Sequence, residues 1–156
     1  MSAFNTNWPR WIKASLTKHF ESYKGDLTFI LEDVPMDVAD PRERVEFRTD
    51  GPDFSEPSDG WWIGRVVVNL LLVLQISKSD AYRVERFIGQ MQAAFIHVCI
   101  KKYGSAGGDD GTHVGTMYVS PARYPKIAVD RFGQLDPNIK LDYTTLEAEY
   151  LIEIAL

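Results

Sequence analysis

Residues 61–76 read WWIGRVVVNLLLVLQI, and their alternation decides the fold. The even positions, Trp62, Gly64, Val66, Val68, Leu70, Leu72, Leu74 and Ile76, are all apolar or small. The odd positions mix Trp61, Ile63, Val67, Leu71 and Val73 with Arg65, Asn69 and Gln75. A period of two is the signature of a strand, because successive side chains point to opposite faces. One wholly apolar face and one mixed face predict a central strand, closed by helices on one side and partly covered on the other. Gly64 is expected to mark a bulge or bend in so long a strand. The run is too short to cross a bilayer as a helix, which needs ~20 apolar residues.

Working outward, residues 81–103, AYRVERFIGQMQAAFIHVCIKKY, read as an amphipathic helix. Ser79 or Asp80 would cap it, and Gly104 would end it. Val84, Phe87, Ile88, Met91, Phe95 and Val98 recur at helical spacing and predict its buried stripe. Arg83, Arg86, Gln90 and His97 lie off that stripe. Cys99, the one cysteine, falls inside this segment and reads as a small buried thiol. It has no partner for an intramolecular disulfide, and such usage suits a reducing cytoplasm. The glycine-rich segment 104–113 then predicts a polar loop.

On the other side, residues 50–60, DGPDFSEPSDG, concentrate prolines, glycines and carboxylates. They predict an exposed loop or hairpin arm. Residues 5–23 read as a first helix, with Pro9 in its first turn. Its apolar stripe is Trp8, Trp11, Ile12, Leu16, His19 or Phe20, and Tyr23, with His19 read as a hydrogen-bonded histidine on or beside it and Gly25 as the stop. Short strands are expected at 27–31, 44–48, 115–119 and 126–132, with loops at 33–42 and 120–125. The chain closes on a strictly alternating strand. Leu146, Ala148, Tyr150, Ile152, Ile154 and Leu156 oppose Thr145, Glu147, Glu149, Leu151 and Glu153. The expected fold class is therefore α+β: a mostly antiparallel sheet packed against two main helices, in one domain over 1–156.

The 156 residues are 45% hydrophobic and 25% charged, which suffices for an ordinary core. A net charge of −5 argues against non-specific nucleic-acid binding, which needs clustered Lys and Arg. The opening residues MSAFNTNWPRW carry no apolar run of the signal-peptide kind, so a soluble chain is expected. His19, His97 and His113 lie in different elements and form no metal-ligand spacing. No nucleophile motif is present, and GSAGGDDG lacks the Lys-Ser/Thr that completes a phosphate loop. Asp50, Asp53, Glu56 and Asp59 fit either a solvated loop or a divalent-metal site. Glu147, Glu149 and Glu153 fit either a solvent-facing sheet surface or a negatively charged pore wall.

The succession of helix, strands, acidic segment, long strand, helix and terminal antiparallel set resembles the tail terminator and neck-completion proteins of long-tailed bacteriophages. The resemblance rests on WPRWIKASLTKHF, on EFRTDGP…EPSDGWWIGRVVVNLLLVLQIS, on DAYRVERFIGQMQAAF and on DYTTLEAEYLIEI. It covers most of the chain as architecture and local texture, and it includes no catalytic signature. It implies a structural virion subunit of the tail or neck, without catalytic residues, cofactor or metal, found in the host cytoplasm during assembly. Such subunits form a ring, expected to be a hexamer, that caps the tail tube, meets the head connector and lets DNA pass without specific binding. It implies partner contacts through Asp50, Asp53, Phe54, Glu56, Asp59, Asp109 and Asp110, and a lumen faced by Glu147, Glu149 and Glu153. The other classes open at this point are a head-completion adaptor, a metal-dependent hydrolase built on the Asp50–Asp59 segment, and an accessory module that binds through a strand edge.

Overall fold

The computed structural model describes residues 4–31, 43–76, 82–104, 108–135 and 140–155. The expected caps Ser79 and Asp80, the 33–42 loop and Leu156 lie outside them. In chain order the elements are α1 (Trp8–Glu21), β1 (Thr28–Leu31), β2 (Arg44–Ser58), β3 (Trp61–Gln75), α2 (Arg83–Ala93), β4 (Val98–Tyr103), β5 (Asp109–Val119), β6 (Ala128–Gly133) and β7 (Leu141–Ala155). The fold class is α+β, with two helices and one curled, strand-rich sheet among the described residues.

The sheet runs β1-β2-β3-β7-β5-β4, and β6 also pairs with β7. Its centre is three strands of 15 residues, β2, β3 and β7, all antiparallel. The β3–β7 register is unbroken from Trp61↔Ala155 to Gln75↔Leu141. β7 shares its far edge between two short partners, β6 opposite its first half and Tyr118–Val119 of β5 opposite its second. β1 is parallel to the start of β2.

The expected inner face of β3 is the core. Val66, Val68, Leu70, Leu72 and Leu74 are buried, and across from them so are Tyr150, Ala148, Leu146, Thr144 and Asp142, with Ile152 and Ile154 continuing the buried row of β7. Gly64 makes no bulge, contrary to expectation, because its pairing with Phe54 and Ile152 stays in register. It is small for packing reasons: a Cβ there would lie 2.8 Å from the Phe54 ring and 2.9 Å from Ile152. The irregularity comes instead on β2, between Asp50 and Asp53, where Gly51 has φ +102°. A Cβ on Gly51 would also approach the Arg65 carbonyl oxygen at 2.9 Å.

α1 closes the inner face. Trp8, Trp11, Ile12, Leu16 and Phe20 are buried as expected, and Phe20 packs against Phe47, Phe95 and Tyr150. Its polar contacts run to β4 and to the end of α2. The Lys101 amide donates to Ser15 Oγ (3.0 Å), and His19 Nε2 is 2.7 Å from the Ala94 carbonyl oxygen. Arg10 donates to the Tyr103 carbonyl (2.8 Å). α2 is shorter than expected and adds only Ile88 and Met91 as buried residues.

One expected element needs correction. The helix expected over 81–103 stops at Ala93, and Val98–Tyr103 form a strand. Phe95 and Val98 are buried, but not as part of a helical stripe, and Cys99 is exposed on β4 rather than buried in a helix. The spacing of Phe95 and Val98 fits both periods. The β-branched Ile96, Val98 and Ile100, with Val98 and Ile100 buried on either side of exposed Cys99, resolve it toward a strand. The acidic segment takes the second of its two expected forms, a hairpin arm: residues 50–58 continue β2, and Asp59-Gly60 is the two-residue connection to β3.

Candidate interaction surfaces

Strand alternation sorts the expected residues onto surfaces. On β7 the odd positions turn away from the core, and the unbroken register puts their partners on the same face. Glu147 lies opposite Asn69 on one side and Ala128 on the other. Glu149 lies opposite Val67, and Glu153 opposite Ile63. The three glutamates therefore share the outer face with Arg65, Leu71, Thr145 and Leu151. The buried residues of both helices belong to the core cluster of the opposite face, so neither helix buries a side chain here.

The row is less exposed than expected. Glu153 is exposed, but Glu147 and Glu149 are half-buried among their cross-strand neighbours. Glu149 accepts a hydrogen bond from Arg123 (3.2 Å), with its side chain only 15% exposed. Arg123 follows β5, so this ion pair ties the loop before β6 to the central strand. The Ser120 amide donates to the Glu149 backbone carbonyl at 2.7 Å and supports the same tie.

The second surface is the β2–β3 hairpin. Asp50, Asp53, Glu56 and Asp59 are all exposed along it. Glu56 Oε1 accepts from the Gly60 amide (2.9 Å), which braces the turn. Asp53 lies opposite Arg65 in the register. None of the four makes an ion pair among the described residues. Phe54 does not belong with them as an outward contact residue. It is half-buried, with its ring 4.7 Å from that of Phe4 and Gly64 beneath it. Asp109 and Asp110 open β5 instead of standing in a free loop, and Asp110 accepts from the Thr112 amide (2.8 Å). Among the described residues no three His, Cys, Asp or Glu side chains come together as a metal cage. Extended backbone separates Asp50, Asp53, Glu56 and Asp59 along the arm instead of converging them.

The third surface is one that the helical reading of 81–103 concealed. Placing β4 beside α1 creates a trough of two adjoining hollows, about 440 and 490 Å³, which share Lys18 and Tyr103. Lys101, His19, His97 and Cys99 line the first, and Arg10, Lys13 and Glu21 line the second. Cations outnumber carboxylates along it, although the whole chain is acidic. Read as a strand, residues 98–103 would have placed Lys101 and Cys99 at a surface from sequence alone.

Elsewhere, ion pairs fasten the ends of elements. Arg83 grips Glu43 with two hydrogen bonds, one of them 2.9 Å, and the Gln75 amide donates to the same carboxylate at 3.0 Å. The Arg83 hydrogen bond is the main reason the Glu43 pKa lies below the usual carboxylate value. Arg131 bridges Glu85 (2.8 Å) and Asp142 (3.3 Å), tying α2 to β6 and β7. The Glu85 pKa is lowered, chiefly by that hydrogen bond. The Tyr150 hydroxyl donates to the Ile96 carbonyl (2.8 Å), and burial is the main cause of its raised pKa. No helix among the described residues is long and apolar enough to cross a membrane. Comparison of the chain with protein-family models and with curated proteins finds no match.

Proposed function

We propose that the chain is a structural subunit of a long-tailed bacteriophage virion, a ring-forming tail terminator that caps the tail tube and joins it to the head connector. The whole chain acts as one terminator-like domain, its sheet packed against two helices, and it carries no catalytic role. The ring is a hexamer whose hole passes DNA without gripping it, and it assembles in the host cytoplasm before entering the virion.

One observation carries this reading. The outer face of the three 15-residue strands takes no buried side chain from either helix, and it bears Glu147, Glu149 and Glu153 in line. A wall of that sign repels phosphate and lets a duplex slide. The alternation and the order of elements are also those on which the family resemblance rests. A metal-dependent hydrolase gains no support, because the arm's carboxylates are spread along extended backbone. A neck adaptor would share the ring and differ in its neighbours.

The solution mass tests the reading. Sedimentation equilibrium of the purified chain, whose protomer is 17.8 kDa, should give a closed species near six protomers, and negative-stain images should show a ring. A monomer at all concentrations, both alone and with tail-tube protein, would overturn it.

A further inference from the structure

We infer that the trough between α1 and β4 is the receptor for the acidic β2–β3 hairpin of a second copy of this chain. The inference deepens the ring reading and rests on it, since it names the contact through which copies join. Apart from Ser15, the α1 residues that line the trough lie off the helix's buried stripe of Trp11, Ile12, Ser15 and Leu16. Lys101 makes no ion pair among the described residues, and Arg10 donates to Asn7 and to backbone carbonyls, not to a carboxylate. The hairpin is the complement. Asp50, Asp53, Glu56 and Asp59 are exposed and without ion pairs among the described residues.

The hairpin of one chain does not reach the trough of the same chain. β3 is held along β7 as far as Trp61↔Ala155, so the hairpin is fixed in the sheet and cannot fold back over α1. The open edge of the hairpin does not invite strand addition, because Pro52 and Pro57 lack amide donors. Charged side chains, not a shared ladder, are what it offers. A contact between two different patches is head-to-tail, and repeated copies then close into a ring or run on as a filament. Opposed charges also select the register and reject like surfaces.

Charge swapping tests it. Lys18→Glu with Lys101→Glu, and separately Asp53→Lys with Glu56→Lys, would each be compared with the unaltered chain by sedimentation velocity, after circular dichroism confirms folding. Each double variant alone should associate at least ~10-fold more weakly, since mutual repulsion replaces attraction. An equimolar mixture should recover association, because each variant retains one native patch and the swapped patches complement one another. Association of the unaltered chain should weaken as salt rises. Undiminished rings in both variants would overturn this contact and leave the ring reading standing. Recovered pairing that yields filaments or dimers would uphold the contact and overturn the ring. Loss only in the lysine variant, without rescue, would mean that the trough takes a different acidic partner, and would overturn the inference. A monomeric unaltered chain would overturn both.

Discussion

The two faces of the central sheet are built from the same three strands yet follow different physical rules. On the inner face every position from Val66 to Leu74 at spacing two is 1% exposed or less, and the opposing residues of β7 from Leu146 to Ile152 match them. Polar groups enter it only at the start of β7, where buried Thr144 and Asp142 lie opposite Leu72 and Leu74 and Asp142 pairs with Arg131. The outer face has Val67 and Leu71 beside Asn69, Arg65, Glu147 and Glu149, all but Arg65 half-buried. Closure by α1 makes the inner face a close-packed solid in which volume decides energy. Away from Val73, which is fully buried near the end of β3, the outer face has its cross-strand neighbours as cover, so pairing and charge decide there. Stability is therefore expected to reside on the first face, and recognition on the second and on the surfaces flanking it.

The sharpest way to break this contrast is to shorten adjacent residues of one strand. Leu70→Ala removes a wholly buried side chain and should cost about 2–5 kcal/mol, through lost transfer energy and a residual cavity. Leu71→Ala, one residue on and on the half-buried face, should cost less than half as much. Urea unfolding of the two variants measures the difference. Equal losses would mean that the outer face is as tightly closed as the inner, and a Leu70→Ala loss below ~0.5 kcal/mol would mean that the register is wrong.

How much of this was legible depends on which signal dominated locally. The period of two in β3 and β7 is long, and only one structure satisfies it, so both strands and their buried sides followed directly. So did α1, where Pro9, the 3–4 spacing and Gly25 agree. Residues 94–103 misled because Phe95 and Val98 continue the helical spacing of Ile88 and Met91. The β-branched alternation from Ile96 to Ile100 was the competing signal. Residues 50–58 stayed open between loop and hairpin arm because Gly51, Pro52 and Pro57 are breakers in isolation. A strand tolerates them at an irregularity and along an edge without a ladder partner. The Asp59-Gly60 pair before Trp61 was the hairpin mark that argued for a strand on both sides. The outward direction of Glu147, Glu149 and Glu153 was legible from alternation. The Arg123 pairing of Glu149 was not, since it joins residues 26 apart in sequence. The trough was invisible for the same reason as β4.

A smaller effect probes the rim where the two faces meet. Glu43 binds Arg83 and the Gln75 amide, so Glu43→Gln should cost about 1 kcal/mol at neutral pH by weakening charge-assisted hydrogen bonds. The sign with pH follows from its depressed pKa. In the folded chain the carboxyl binds its proton less readily than in the unfolded chain, where 4.5 is the ordinary value. Its contribution is therefore complete above that value and is lost as pH falls through the lower folded pKa. The unaltered chain and the variant should converge in stability as the pH is taken below ~4, the ordinary carboxylate range. A difference that stays constant down to pH 2 would remove the ion pair from the account.

The smallest expected effect separates the glutamates of the outer face from one another. Glu153 is exposed, with Ile63 as its cross-strand neighbour, so Glu153→Lys should change stability by less than ~0.5 kcal/mol. Glu149 is different, because only 15% of its side chain reaches solvent and Arg123 lies 3.2 Å away. A lysine there would set two cations together in a poorly hydrated place, and should cost on the order of 1 kcal/mol. Reversing Arg123 as well, in a Glu149→Lys/Arg123→Glu double variant, should return part of that loss, which a double-mutant cycle reads directly. Equal tolerance at both positions would make the whole row a solvated surface. Unequal tolerance makes Glu149 a structural tie and leaves Glu153 as the member of the row free to act on whatever passes the outer face.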